Sequence, residues 1–285
     1  MRGLLLGVWL VGCTGEVPDD TAPGACDTPE AVSAYAVEWE TDPGPAEAGV
    51  ETEFTLRVRD QRGCPIEDLQ AAHERFVHTL LISTDLASFQ HLHHEDSLAL
   101  TAEDLRSSTW HFPVTFPAAG DYRLVFDYAH QNKYLTSTDW MTVGGAPTQA
   151  ATPALDYSLE RTVGDLVVTM RWDVPPSAGY EASWTTTVRT ADGTDVTDLV
   201  QWLGADAHAA VATADLEWVS HTHAWFPDME NVAPGHEMPH IYLGPELPFH
   251  YTFPNAGPHK VWVQFVREDA PDAPYVAEFA FDVAP

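Results

Sequence analysis

Six of the chain's 14 histidines fall into two sets with the same spacing. His78 is followed after thirteen residues by His91 and after two more by His93; His208, His221 and His223 repeat both intervals. A neutral imidazole offers one nitrogen lone pair near physiological pH and is the commonest protein ligand for transition metals. Residues two apart share one face of a strand, so His91 and His93 point the same way. A hairpin centred on Thr84-Asp85-Leu86 sets His78 opposite His93 and makes His91 its diagonal neighbour. Directly opposed Cβ atoms lie about 4.5–5.5 Å apart and diagonal ones about 7–8 Å. From such positions three nitrogens can meet one ion, at about 2.0–2.1 Å if it is zinc. The same construction holds for His208, His221 and His223 around Thr213-Ala214-Asp215. A lone histidine is ordinarily a hydrogen-bonded sheet residue. Two matched triads predict one three-histidine site per copy, with copper or zinc as the ion.

Further donors lie nearby. His94 and Glu95 follow the first triad, and His111 beside Trp110 begins a strand that can return to it. The second copy has a proline-rich loop carrying His236, Met238 and His240, and His250 stands just beyond it. Thioether sulfur is soft and suits Cu(I), which tilts the expected ion toward copper. His73, His130 and His259 have no histidine at the matched position of the other copy and read as ordinary residues.

The elements that must hold these residues come in duplicate. Val58 through His93 align without a gap on Val188 through His223, pairing Gly63 with Gly193, Asp68-Leu69 with Asp198-Leu199 and Asp85-Leu86 with Asp215-Leu216. Thr115-Phe116-Pro117 and Gly120 then match Thr252-Phe253-Pro254 and Gly257, after seven extra residues in the second copy. Phe54, Leu56 and Val58 alternate with polar residues, as do Tyr122, Leu124, Phe126 and Tyr128, and Val261, Val263 and Phe265. Such period-two runs, separated by turns such as Gln61-Arg62-Gly63 and Ala191-Asp192-Gly193, read as short strands of an immunoglobulin-like sandwich. The expected class is all-β: two tandem sandwiches, residues 33–144 and 154–285, joined by a linker rich in Gly, Ala and Pro. No convincing helix is expected beyond a turn or two at Ile66–Arg75 and from Val196.

The N-terminus places the chain. Met1-Arg2, the apolar Leu4–Val11 and then Gly12-Cys13 resemble a bacterial lipobox, an ordinary secretory signal with an incidental cysteine being the other reading. Residues 1–12 are then a signal peptide, Cys13 carries lipid and anchors the protein in a membrane of the cell envelope, and 13–32 form a flexible tether. Thr14 in place of an aspartate after Cys13 favours the outer membrane where there are two. Export leaves Cys26 and Cys64 in an oxidising compartment, where they are expected to pair as a disulfide. The formal net charge is −30, from 43 acidic and 13 basic residues. Such a surface repels nucleic acid and stays soluble. No nucleophile elbow, phosphate loop or His-Glu-x-x-His helix occurs, so the expectation is not an enzyme. The competing reading is a cell-surface interaction module without metal, and the sequence identifies no protein partner.

The run Gly63…Asp68-Leu69…His78…Asp85-Leu86…Phe89…His91-Leu92-His93, with the later Phe116-Pro117-Ala118-Ala119-Gly120-Asp121-Tyr122-Arg123, resembles the YtkA-like immunoglobulin-like domains of secreted bacterial proteins. A proline often follows the second paired histidine in that pattern; His94 and Ala224 stand there instead. The resemblance implies a β-sandwich, an exported location and a connection to metal handling, and no defined activity.

Overall fold

The computed structural model describes Cys26, residues 31–146, Pro153, residues 155–224 and residues 244–285. The signal segment, Cys13, most of the tether and the His236–His240 loop lie outside the described residues. The first copy contains β1 (Tyr35–Asp42), β2 (Glu51–Asp60), β3 (Val77–Ser83), β4 (Phe89–Leu92), β5 (Thr109–Thr115), β6 (Gly120–His130) and β7 (Lys133–Val143). These form one sheet ordered β1-β2-β5 and another ordered β4-β3-β6-β7, all antiparallel. Strands that switch sheets in this order are the immunoglobulin-like arrangement. Its tyrosine corner is present too: the Tyr122 hydroxyl, at the start of β6, donates to the Ala118 carbonyl at 2.9 Å. Between the sheets, Phe54 stacks on Phe112 at 5.3 Å and meets Phe126 at 6.4 Å. Each such buried ring contributes about 1.5–3 kcal/mol. Cys26 and Cys64 are joined by a disulfide.

The second copy contains β8 (Glu160–Val163), β9 (Leu166–Val174), β10 (Glu181–Thr190), β11 (Leu199–Val200), β12 (Ala207–Thr213), β13 (Val219–Ala224), β14 (Glu246–Thr252), β15 (Gly257–Arg267) and β16 (Ala270–Val283). One sheet runs β14-β10-β9-β8; in the other, β12 lies between β13 and β15, and β16 pairs with the far edge of β15. His259 takes the place of Tyr122, and its Nδ1 lies 2.9 Å from the Gly257 carbonyl.

Two expectations about helix are corrected. The stretches Ile66–Arg75 and from Val196 are not helical. Each ends in a tight two-residue turn, the bridge Ala72↔Arg75 enclosing His73-Glu74 and the bridge Trp202↔Ala205 enclosing Leu203-Gly204. All four enclosed residues have positive φ, which is the geometry of a reversed hairpin turn and cannot propagate as a right-handed helix. The one α-helix among the described residues, α1 (Ala102–Ser107), was not foreseen; Thr101 and Asp104 close a capping box at its start.

The copies meet through their β3 and β12 sheets. All seven residues of β3 are buried, and so are all seven of β12. Val77 and Leu81 face their own sandwich core, as do Ala207, Ala209 and Val211. The alternate residues Leu80 and Ile82 face across to Ala210 and Ala212 in one apolar cluster with Val125 and Trp262. Sizes are complementary. The first copy is large on its middle strand and small at Val125, whereas the second is small at Ala210 and Ala212 and large at the matched Trp262. Trp262 stacks on Phe89 of the first copy, with ring centroids 5.2 Å apart.

Candidate metal centre

His78 continues the outward row of Leu80 and Ile82, and His208 continues that of Ala210 and Ala212, so one end of the interface is apolar and the other is histidine. In the first hairpin Thr79 pairs with Leu92 and Leu80 with His91, which carries His78 opposite His93. In the second His208 pairs directly with His223, and Ala210 with His221. Each triad closes on itself. His78 Nδ1 lies 3.1 Å from His91 Nε2, His93 Nε2 lies 2.9 Å from His78 Nδ1, and His93 Nε2 lies 3.0 Å from His91 Nε2. His208 Nδ1 lies 3.1 Å from His221 Nε2. Each of His208, His221 and His223 offers a ring nitrogen within 4.8 Å of the other two.

The two triads, expected as one site in each copy, lie against each other across the interface. The two sheets face each other, so the triads merge into one interdomain cluster. Ring centroids of His91 and His221 are 4.8 Å apart and those of His78 and His221 5.3 Å. His78, His91 and His221 also form a set with ligand atoms within 4.8 Å. His73 was read as ordinary, yet its ring stacks on His223 at 3.7 Å. Its matched residue is Leu203, so the duplication could not reveal it. Trp202 stands edge-on to His91 and His208, at 5.8 and 5.1 Å.

Partners on the outer nitrogens fix the tautomers. His78 Nε2 is 2.9 Å from the Ala72 carbonyl, so it carries the proton. His208 Nε2 stands in the same relation to the Trp202 carbonyl at 2.9 Å. The reversed turns described above supply both carbonyls. His93 Nδ1 donates to Asp96, 2.6 Å away on the turn of 3-10 helix that follows. His91 Nδ1 is 2.8 Å from Gln264 Oε1 of the other copy. The pseudo-symmetric contact sets His221 Nδ1 3.7 Å from Asp127, the residue that matches Gln264. With their outer nitrogens protonated, His78 Nδ1, His91 Nε2 and His93 Nε2 turn three bare lone pairs toward one point.

Burial holds the imidazoles of His78, His91, His208, His221 and His223 well below their ordinary value, and neighbouring rings push the same way. Burial also lowers His73 to about 4 and raises Asp127 to about 6. These six rings are therefore neutral nitrogen donors at physiological pH.

Among the described residues the wider ligand set is not assembled. His94 points into its own domain, opposite to His93, and its Nδ1 accepts the backbone N–H of His111 at 2.9 Å. His111 lies on β5, in the sheet away from the interface, with Nδ1 3.1 Å from the Thr55 hydroxyl. His250 is exposed on β14, paired with Ser183 in the outer sheet of the second copy. His236, Met238 and His240 lie outside the described residues. His130 is a structural pin, 2.8 Å from the Tyr35 hydroxyl and 2.9 Å from Asp68.

A family model described as a domain of unknown function (DUF8832) matches residues 30–145 and again 161–284. It captures the duplication under that description rather than as a YtkA-like domain. No curated protein matches the chain. Among solved structures the chain is similar to the Escherichia coli adhesin FdeC, at 16% identity over 90% of this chain and 66% of that one, with a TM-score of 0.25. It is similar to the Yersinia pseudotuberculosis adhesin InvE at 14% identity, over 87% of this chain and 58% of that one, with a TM-score of 0.23. It is similar to trypsin-activated alpha-2-macroglobulin from Escherichia coli at 10% identity, over 89% and 16%, with a TM-score of 0.25. The chain thus spans less than two thirds of the length of each. Among the described residues no helix is long and apolar enough to cross a membrane.

Proposed function

Because the chain belongs to the DUF8832 family in both of its halves, a family without a defined activity, we propose that the two copies act as one unit that holds a transition-metal ion, copper in preference to zinc. The protein would do so as an exported lipoprotein, anchored through Cys13, that buffers or delivers the ion rather than turning over a substrate. One observation carries the reading: the three inward nitrogens of His78, His91 and His93 lie within 3.1 Å of one another while their outer nitrogens meet Ala72, Gln264 and Asp96. Three lone pairs at that separation repel, and a cation at their centre relieves the repulsion. Calcium and magnesium require oxygen donors, so an all-imidazole set selects copper, zinc or a similar ion. Copper(II) lies above zinc in intrinsic affinity, and copper(I) accepts three nitrogen donors without a fourth ligand. Outer partners such as Asp96 on His93 are the kind of support that orients metal-binding imidazoles. The convergence of the rings favours this reading over a purely adhesive module.

The test is elemental analysis of the purified chain after dialysis against copper or zinc, beside His91→Ala and His221→Ala. Stoichiometric uptake that falls in both variants is expected. Sub-stoichiometric uptake, unchanged by the substitutions, would sink the reading.

A further inference from the structure

The geometry points to a pair of copper(I) ions in this centre, one on each triad, facing each other across the interface between the copies. This rests on the metal reading and sharpens it. In the first copy the three nitrogens form a nearly equilateral face with edges of 2.9–3.1 Å. An ion about 2.0 Å from each nitrogen would sit about 1 Å out of that plane, so the face is complete for one three-coordinate ion. In the second copy one edge is equally short, His208 Nδ1 to His221 Nε2 at 3.1 Å, and the three rings offer nitrogens within 4.8 Å of one another. Ring centroids in the first triad are 5.3, 4.7 and 4.5 Å apart, and the matched distances in the second are 5.1, 4.6 and 4.6 Å. Between the copies the regularity is lost, with centroid separations from 4.8 to 6.3 Å. The geometry that repeats is therefore the one within a triad.

Charge points the same way. Imidazole ligands supply no negative charge to compensate a buried cation, and an uncompensated buried charge is costly. One carboxylate backs each triad: Asp96 on His93, and Asp127 across the interface beside His221; Arg75 already pairs with Asp96 at 2.8 Å. Local negative charge is therefore scarce, and every added positive charge on the ions raises the cost of burying them. The apposed faces thus suit monovalent copper, which is also content with three nitrogen donors.

The experiment loads the chain anaerobically with copper(I) in the presence of a competing chelator and counts ions by native mass spectrometry. Two ions per chain are expected for the wild type, and one for His91→Ala and for His221→Ala. A single ion in the wild type that both variants lose completely overturns the pairing but leaves a metal protein. No uptake of any ion overturns the parent reading as well. Should the alanine variants fold poorly, Asp96→Asn gives the same answer by a milder change. It should weaken one of the two binding steps by about 10–100-fold and leave the other in place. Equal weakening of both steps would refute one ion per triad.

Discussion

Acidification of the metal-free protein is the sharpest physical test of the buried cluster. His73 titrates near 6.5 when unfolded and at about 4 in the fold, because burial disfavours its charged form. Between those values the unfolded chain binds the extra proton. Stability is therefore full above pH 6.5, falls as the pH drops through 6.5, and stops falling below about 4. For His73 alone the loss from pH 7.5 to pH 5 is about 2 kcal/mol. His78, His91, His208, His221 and His223 are held low by the same cause and act in the same direction. Asp127 opposes them. Its carboxyl takes a proton near pH 6 in the fold and near 3.8 when unfolded, so the same acidification stabilises by about 1.4 kcal/mol. One carboxyl does not offset six imidazoles, so the net effect is loss of stability. Carboxyls held below their ordinary value, such as Asp60 and Asp198, titrate too low to matter at pH 5. The assay is urea unfolding of chelator-treated protein at pH 7.5 and pH 5, with His73→Gln as the control that removes about 2 kcal/mol of the difference. A midpoint that stays level or rises on acidification would refute the burial of these rings as neutral groups.

Two further outcomes follow from the packing. Trp262→Ala should destabilise by about 3–5 kcal/mol, since the indole is 1% exposed and fills the space left by Ala210 and Ala212 against Phe89; a loss below about 1 kcal/mol in chemical denaturation would mean the sheets do not meet through it. Replacing Cys26 and Cys64 by serine opens a loop with a sequence separation of 38 and should lower first-copy stability by up to about 4 kcal/mol, read as an earlier urea transition that reducing agent reproduces in the wild type.

Much of the site was legible in the sequence because it is local. The spacing of His78, His91 and His93 around Asp85 sets which residues oppose one another as soon as the hairpin forms, and hairpin register depends on few residues. The period-two runs were readable for the same reason, and the cysteine pair from the oxidising compartment that export implies. His94 and His111 misled because nearness in sequence says nothing about which sheet face a residue takes. The stretch before His78 allowed a helical turn or two, but two consecutive residues of positive φ at His73-Glu74 turn it into the loop that presents the Ala72 carbonyl. The one signal of that conformation was Gly204 at the position matching Glu74, since glycine adopts positive φ freely.

The sequence by itself determined the duplication, the two sandwiches and the grouping of three histidines on each hairpin. Only the tertiary structure decided that the triads form one centre. The apolar run of β3 requires burial on both faces, but a strand's alternation cannot say what covers its outer face. That is settled by the fit of Leu80 and Ile82 to Ala210, Ala212 and Trp262, residues more than a hundred positions away, and it is this fit that brings His78 and His91 against His221.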